Sequence, residues 1–467
     1  MPELQLRLVA LTRLINIQVS RMKFSKTLLA SSLALMSINA HSAAFQLNET
    51  SASGLGRSFA GEAAIADNAS VVSRNPALMS QFSQAQLSVV ATYVDPGVDV
   101  EGVSAPSIVG ANFDVSEMDS SGVVPPAVIP AFYYVNPLND KFAYGVGFNS
   151  NFGLASDYDD DYAAGSIGGK TDLLTLNANI SGSYKINEQF SIGVGLNIVY
   201  GEAELIRHAG APLENGITHP NPQIGQLLPP VPRETEVLRM EGDDVGFGWN
   251  IGATYDINEN HRLGLSIRSA TEIDFDGDYT GVSGVTEPGH LTIDLPEVIE
   301  FSGYHQVTAK TAVHYSAMYT GWDSFEAIEA YVYSDASEPV FYKEESFNNT
   351  MRYAVGVTHQ YSRELTLRAG IAYDESASTT HPSISIPDSD RKWVSAGGTY
   401  QLKENSTIDF AVAYVDGDEV HLTEQDALLG EVLETAPQLA PLLGDTNWTY
   451  KSEGNALLLA VQYNHAF

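Results

Sequence analysis

Leu174 to Tyr200 reads LTLNANISGSYKINEQFSIGVGLNIVY, and it contains two long runs in which apolar residues alternate with polar or small ones. The first run ends at Ile186, the residues Asn187-Glu188-Gln189 follow, and the second run begins at Phe190. A period of two places successive side chains on opposite faces of a β-strand. The stretch therefore predicts two long antiparallel strands, each with one apolar face, joined by a tight turn.

The length of these runs indicates what their apolar faces contact. In a soluble sandwich the apolar face would cover a core, whereas in a membrane barrel it would face lipid and the polar face would line the lumen. The run from Leu174 to Ile186 alternates over thirteen residues, longer than sandwich strands usually sustain, and a strand that crosses a membrane needs about 9–11 residues. We therefore predict an all-β protein, a transmembrane antiparallel β-barrel.

The same alternation recurs along the chain, at 142–148, 247–257, 353–357, 367–373 and 408–414. Short connections such as 187–189 alternate with long ones such as 201–240, which is the asymmetry expected of periplasmic turns and outside loops. A raw count gives fifteen strands. Counting Thr308 to Tyr333 as one strand gives about 14, the even number that bacterial barrels favour; the alternative is a turn at Gly321-Trp322-Asp323.

Composition and charge exclude several functions. The formal net charge is −34 and the chain has no cysteine. Phosphate-rich nucleic acid needs lysine and arginine, so we expect no nucleic-acid partner. The lack of cysteine excludes a disulfide framework and a thiolate metal site.

The N-terminus has the features of a secretory signal peptide. Lys23 and Lys26 precede the apolar run Leu28–Ile38, and Ala40-His41-Ser42 offers small residues for cleavage. We predict a signal region at 1–42 with cleavage after Ser42. The translated start is expected at Met22; the alternative is an extended N-terminal region. An exported barrel of this kind belongs in a Gram-negative outer membrane as a multi-pass protein.

The C-terminus also follows a period of two, and it ends on Phe467. A terminal aromatic residue of this kind is typical of outer-membrane barrels, and we expect Phe467 to be read by the barrel assembly machinery. His465 departs from the usual apolar residue. Leu459, Val461 and Tyr463 are predicted to face lipid, with the last strand pairing with the first near 87–94.

Residues 43–84 do not fit the barrel pattern, because they are rich in Gly, Ser, Ala and Asn and show no strand alternation. They are predicted to form an N-terminal hatch that plugs the lumen, followed by a barrel at 85–467. The motifs here, and several further along, closely resemble the FadL-type outer-membrane long-chain fatty acid transporters. The motifs that carry the resemblance are AAFQLNE at 43–49, SGLGR at 53–57, GEAAIAD at 61–67, SRNPAL at 73–78, NSNFGL at 149–154, GFGWN at 246–250, LPE at 295–297 and SIPDSDR at 385–391.

The resemblance implies passive transport of long-chain fatty acids through a hatch-plugged, fourteen-stranded barrel. Ligand would enter from outside and leave sideways beside a kinked strand. The alternative is uptake of neutral hydrophobic compounds, aromatic hydrocarbons or alkanes, by the same route. The expected partners are these ligands, outer-membrane lipid and lipopolysaccharide, and the expected oligomeric state is a monomer.

A fatty acid needs an apolar channel and a cation for its carboxylate. The stretch 201–240 is rich in apolar residues and proline, and it includes Leu205, Ile206, Leu227 and Leu228. Exposed apolar loop surface usually marks binding, although the loop could instead pack on its neighbours.

Several further site residues come from the resemblance. Arg207 and Lys343 match family positions in the interior pocket; the alternative for each is a salt bridge to one of the many acidic residues. Phe45 matches a residue at the mobile end of the hatch.

The gate and hatch residues implied by the resemblance are Asn75, Pro76, Ala77, Phe152 and Gly153. Gly153 lies where the family's third strand kinks, but it could be an ordinary strand-end glycine, and Asn75-Pro76-Ala77 could be a plain turn.

We found no catalytic motif in the sequence. Neither a Gly-x-Ser-x-Gly elbow nor a His-Glu-x-x-His zinc pair is present. The acidic run Asp157–Asp161 lacks the glycine and closing glutamate of a calcium loop. We therefore expect no enzyme activity, no cofactor and no metal. A barrel lipase and an open diffusion porin are both disfavoured, the latter because the hatch would block the lumen.

Overall fold

Strands dominate the computed structural model, which describes residues 44–106, 114–214, 230–426, 428–430 and 444–467. Fourteen antiparallel strands close into one barrel within these residues. They are β1 (Gln86–Ser104), β2 (Ala127–Pro137), β3 (Phe142–Asn149 and Gly153–Ser156), β4 (Lys170–Lys185), β5 (Phe190–His208), β6 (Glu236–Asn258), β7 (His261–Arg268 and Thr271–Thr280), β8 (Thr286–Leu295 and Val298–Thr308), β9 (Thr311–Thr320 and Ala327–Val332), β10 (Phe341–Glu344 and Thr350–Gln360), β11 (Leu365–Asp374), β12 (Arg391–Lys403), β13 (Ser406–Gly417 and Val420–Gln425) and β14 (Asn447–Ala466).

The barrel closes where the last strand meets the first. Leu87 of β1 lies opposite His465 of β14, and the ladder continues to Ser104 opposite Thr449. Beside it, the two-residue strand Ser120–Ser121 pairs with β1. The predicted pairing of the chain ends is therefore confirmed.

The predicted fourteen-strand count is also confirmed, because the chain does not reverse at Gly321. Instead a 3-10 helix, Trp322–Ser324, interrupts β9 and the strand resumes at Ala327. The predicted extent of the loop 201–240 was wrong, since β5 continues to His208 and β6 begins at Glu236. Leu205 to His208 are all buried, so the inside–outside period disappears while the backbone ladder persists.

The two faces of the barrel wall differ as the alternation predicts. On β5 the apolar residues Val194 and Leu196 are 57% and 64% exposed, while Ser191 and Asn197 are buried. The inward amides bond to one another: Asn179 Nδ2 donates to Asn197 Oδ1 at 2.9 Å and to Asn250 Oδ1 at 2.9 Å. An apolar outer face and a hydrogen-bonded polar lumen are the arrangement that lipid requires.

The segment 44–84 lies within the barrel. Its short helices are α1 (Ala52–Leu55), α2 (Val71–Arg74) and a 3-10 helix, Pro76–Gln81. The hatch backbone bonds to inward side chains from across the wall: Ala52 N–H donates to Gln462 Oε1 at 2.9 Å and Gly61 N–H donates to Ser316 Oγ at 2.8 Å. The predicted hatch-plugged lumen is therefore confirmed.

Two wall glycines let the hatch approach the barrel backbone closely. A Cβ atom at Gly264 would lie 1.8 Å from the Ala63 carbonyl oxygen, and one at Gly252 would lie 1.8 Å from Asn75 Oδ1. Only glycine leaves room for such contacts.

The remaining short helices connect strands outside the hatch. They include a 3-10 helix at Val115–Met118 and α3 at Ala211–Glu214, and residues 428–430 are also helical. Among the described residues, no helix combines the length and apolar character that a membrane crossing needs.

Candidate functional site

An apolar cavity lies in the upper half of the barrel, between the wall and the first described residues of the hatch. Its walls come from β3 to β9, which contribute Leu154, Leu173, Leu205, Phe275 and Ile328 among others, and Phe45 of the hatch lines one side. The exposed surface of this lining is almost entirely apolar, as in sites for small apolar ligands. The cavity therefore offers an apolar surface to a hydrocarbon chain.

Phe45 closes one side of this cavity as part of an aromatic cluster. Its ring centroid lies 4.6 Å from that of Trp322, 5.3 Å from that of Phe325 and 6.2 Å from that of Phe152, each in an edge-on arrangement. Edge-on aromatic pairs are worth about 0.5–1.5 kcal/mol each beyond the area that they bury. The cluster therefore fixes the start of the hatch against the barrel wall.

The backbone of the same hatch segment pairs with β3 where that strand is interrupted. Leu47 N–H donates to the Asn151 oxygen at 2.7 Å, and Gly153 N–H donates to the Phe45 oxygen at 2.9 Å. Every residue from 149 to 156 is buried, so the inside–outside alternation of β3 stops here. The strand is interrupted at this point, and the hatch supplies backbone partners there.

The bend separates β3 from β2. In the part of the chain that the structure covers, their ladder runs from Pro137 opposite Ala143 only as far as Phe132 opposite Phe148. Above this point β2 pairs with β1, where Ala127 lies opposite Val94, and β3 pairs with β4. The wall therefore has a lateral break in its hydrogen bonding beside the predicted kink residues.

Arg207 of β5 is a buried cation beside the cavity. Its guanidinium donates to the Ile206 oxygen at 2.8 Å, to the Lys170 oxygen at 3.0 Å and to Thr171 Oγ1 at 3.1 Å. All these acceptors are neutral, and Thr171 lines the cavity. Among the described residues these acceptors leave the guanidinium without a carboxylate partner in hydrogen-bond contact, so an arriving anion can form a charge-assisted hydrogen bond with it.

Lys343 of β10 lies among polar partners. Its ammonium donates to Ser383 Oγ and Ser385 Oγ, each at 2.6 Å. It also approaches Glu345 Oε1 at 3.0 Å and Glu424 Oε1 at 3.4 Å. The alternative of a salt bridge therefore describes Lys343 in this structure, whereas Arg207 makes none with the described carboxylates.

The remaining predicted ligand-binding residues do not all line the cavity. Leu205 lines the cavity, but Ile206, the next residue on the strand, does not. Leu227 and Leu228 lie outside the described residues.

The Asn75-Pro76-Ala77 triplet lies in the hatch, away from the cavity. Asn75 is fully buried; its side chain accepts from Ala77 N–H at 3.0 Å and donates to the Ala63 oxygen at 2.7 Å and the Ala253 oxygen at 3.2 Å. It caps the 3-10 helix and ties two hatch turns to β6. In this conformation the triplet anchors the hatch.

Several residues of the site were missed from the sequence. Trp322, Phe325 and Phe347 complete the aromatic cluster, with Phe347 centred 5.0 Å from Phe325. Glu345 and Glu424 surround Lys343. The alternation is interrupted at Gly321-Trp322-Asp323, and this interruption is a sequence feature that could have indicated the aromatic residues. Nothing local in the sequence indicates the position of Glu424.

A closed fourteen-stranded barrel with an internal hatch, an apolar cavity and a buried cation defines an outer-membrane transport barrel. The chain belongs to the outer membrane protein transport protein family (OMPP1/FadL/TodX), whose model matches residues 33–467. It is therefore an outer-membrane protein, and the predicted family membership and location are confirmed.

Similar chains in other bacteria cover almost its whole length. A long-chain fatty acid transport protein of Escherichia coli O6:H1 is 40% identical over 95% of this chain and 99% of its own. Outer membrane protein P1 of Haemophilus influenzae is 41% identical over 95% of this chain and 100% of its own.

Solved structures support the fold. A FadL homologue of Pseudomonas aeruginosa superposes with a TM-score of 0.76 at 20% identity, over 91% of this chain and all of its own. The toluene transporter TodX of Pseudomonas putida superposes with a TM-score of 0.62 at 16% identity, over 88% of this chain and 98% of its own.

Proposed function

We propose that this protein carries long-chain fatty acids across the outer membrane by passive diffusion through the cavity, without chemical change to the ligand. The observation that carries the proposal is the apolar cavity with Arg207 buried beside it and, in the part of the chain that the structure describes, bonded to neutral oxygens. The hydrocarbon chain would occupy the cavity and the carboxylate would bind near Arg207. Relatives named as long-chain fatty acid transport proteins support this choice of ligand.

The break between β2 and β3 supports a lateral exit. Phe132 and Phe148, the last paired residues below the break, are 38% and 47% exposed on the outer face. A ligand that leaves here passes from the lumen into lipid without crossing the polar lower lumen, where the hatch lies. In the closed conformation the bonds of Phe45 and Leu47 to β3 hold the hatch against this break.

The wider setting of the protein is part of the same proposal. We propose that the chain is exported by a signal region at 1–42 and that its mature part consists of a hatch at 43–84 and a barrel at 85–467. The protein would act as a monomer in a membrane that contains lipopolysaccharide. The assembly machinery would recognise Phe467, which is 68% exposed at the end of β14.

Uptake of oleate by cells tests the proposal. A strain that lacks this protein should take up oleate slowly, and the wild-type chain should restore uptake. Ala203→Trp, which fills the cavity, should restore little. A matched control is Gly182→Trp, because Gly182 does not line the cavity and a Cβ atom there has no atom within 4 Å. Full uptake with the filled cavity would contradict the proposal.

Uptake of neutral hydrocarbons is the second candidate. It is favoured by the cavity itself, whose lining is mainly apolar, and by the carboxylates of Glu345 and Glu424, which already pair with Lys343. Neutral ligands need no cation, so the double variant Arg207→Ala/Lys343→Ala separates the two. Unchanged toluene uptake with reduced oleate uptake in that variant supports the fatty acid as the ligand that uses the cation.

A further inference from the structure

Four charged side chains form one cluster beside the cavity. Lys343 lies between Glu345 and Glu424 at 3.0 and 3.4 Å. Arg207 of β5 makes no salt bridge to either carboxylate but interacts with both through space, and it contributes the second positive charge. Two cations and two carboxylates balance to zero. The cluster therefore has no net charge to spare for an arriving anion.

These groups have little contact with water. Glu345 is completely buried and Arg207 is 3% exposed, while the side chains of Lys343 and Glu424 are 17% and 12% exposed. An uncompensated charge in such a place is costly, because no solvent shell stabilises it. An anion that binds here needs a compensating change in the charge of the cluster.

The two carboxylates differ in how well their ionised forms are stabilised. Glu424 accepts hydrogen bonds from Ser383 Oγ at 3.1 Å and from Ile384 N–H at 3.3 Å. Among the described residues no hydroxyl or amide donates to either oxygen of Glu345. Hydrogen bonds favour the charged form of an acid and burial disfavours it, and burial raises the pKa of Glu345 above its ordinary value. Of the two acids, Glu345 therefore accepts a proton more readily.

We infer that Glu345 takes up a proton when an anionic amphiphile binds beside Arg207 and Lys343, and releases it when the anion leaves. The proton comes from water and bonds to a carboxylate oxygen of Glu345, so the occupied cluster again carries no net charge. This inference rests on the proposed function and deepens it, because it couples binding of the anion to external pH.

The other charged groups near Glu345 do not replace it in this role. Lys343 on its own strand, Arg207 on β5 and Glu424 on β13 are the charged groups that act on it. The neighbouring Glu344 is about half exposed, and its Oε1 lies 3.3 Å from Nε2 of His381. Glu344 is therefore a matched control, an adjacent carboxylate in contact with water.

The test uses the full chain in lipid nanodiscs and two probes with equal chains. Decyl sulfate remains anionic across the working range, and decanol is neutral throughout. The affinity of each probe is measured by calorimetry from about pH 5 to pH 9. If binding of decyl sulfate takes up one proton, its affinity falls about tenfold for each unit by which pH rises, within the range where Glu345 titrates.

The expected result for the wild type and Glu344→Gln is decyl sulfate affinity that falls as pH rises, with decanol affinity unchanged. Glu345→Gln should bind decyl sulfate with no such fall, and Glu345→Asp should restore it. Heat-modified migration on gels confirms that each variant is folded. If the wild type binds decyl sulfate equally at every pH, or if Glu345→Gln keeps the fall, the inference is overturned. If neither probe binds, the proposed function fails as well.

Discussion

The carbonyl oxygen of Phe45 accepts a hydrogen bond of 2.9 Å from the amide of Gly153. The bond joins the first described residues of the hatch to β3, where the inside–outside alternation of the strand stops while its residues stay buried. Here the hatch backbone takes a place that a neighbouring barrel strand would otherwise fill. The break between β2 and β3 and the position of the hatch are therefore coupled, because moving the hatch removes the backbone partner of β3.

Phe45→Ala should loosen this coupling. Replacing a buried phenylalanine by alanine typically lowers the free energy of unfolding by about 3–5 kcal/mol. Here the substitution removes the contacts of Phe45 with Trp322 and Phe325. The amides of Leu47 and Gly153 should then exchange hydrogen faster, which mass spectrometry of peptides can measure. Phe59→Ala, a buried phenylalanine deeper in the hatch, should leave these two amides protected. Equal protection in Phe45→Ala would show that the aromatic cluster does not hold the segment.

The sequence allowed the wall to be predicted far better than the site. Membrane strands must alternate residue by residue, so 174–200 indicates β4 and β5 directly. The aromatic cluster brings Phe45 together with residues from β3, β9 and the segment before Thr350, and no local pattern connects them. Arg207 and Lys343 matched family positions, but only the fold shows that Lys343 contacts Glu424 from β13. Pairings between distant strands depend on the closed barrel rather than on any one stretch of sequence.

Arg207→Gln should weaken anion binding while leaving neutral binding intact. A charge-assisted hydrogen bond contributes about 1.5–3 kcal/mol, so decyl sulfate affinity should fall about ten- to one-hundredfold. Decanol affinity should change little, because the apolar cavity is unaltered. Arg239→Gln is the control: Arg239 is paired with Glu204 and Glu236 and is 35% exposed. An equal loss for both probes would mean that Arg207 supports the shape of the cavity rather than its charge.

Gly264→Val should displace the hatch without preventing assembly of the barrel. Even the first carbon of a side chain would lie 1.8 Å from the Ala63 oxygen, so the hatch must move away from β7. We expect larger ion conductance in planar bilayers than for the wild type, since the lumen is then less completely filled. Gly182→Val is the matched control, because a Cβ atom there has no atom within 4 Å. Unchanged conductance in Gly264→Val would indicate that the hatch yields locally and still seals the lumen.

Glu49 should make the stability of the folded protein depend on pH. This hatch carboxyl is buried, and burial raises its pKa from an ordinary value of 4.5 to about 7, although Arg74 and Arg352 act in the opposite direction. A raised pKa means that the folded state holds the proton more tightly than the unfolded state does. The contribution of Glu49 to stability is therefore complete below about pH 4.5, is lost as pH rises towards 7 and stays lost above it.

Glu49→Gln isolates this contribution, because glutamine keeps the shape of the protonated acid and does not titrate. The free energy of unfolding, measured by urea titration in lipid at several pH values, should favour the variant over the wild type increasingly between pH 4.5 and 7. Glu188→Gln, at an exposed turn between β4 and β5, should show no such trend. If the difference in free energy of unfolding between Glu49→Gln and the wild type stays constant across this range, Glu49 is already ionised in the folded hatch. In that case Arg74 and Arg352 stabilise its charge enough to offset burial.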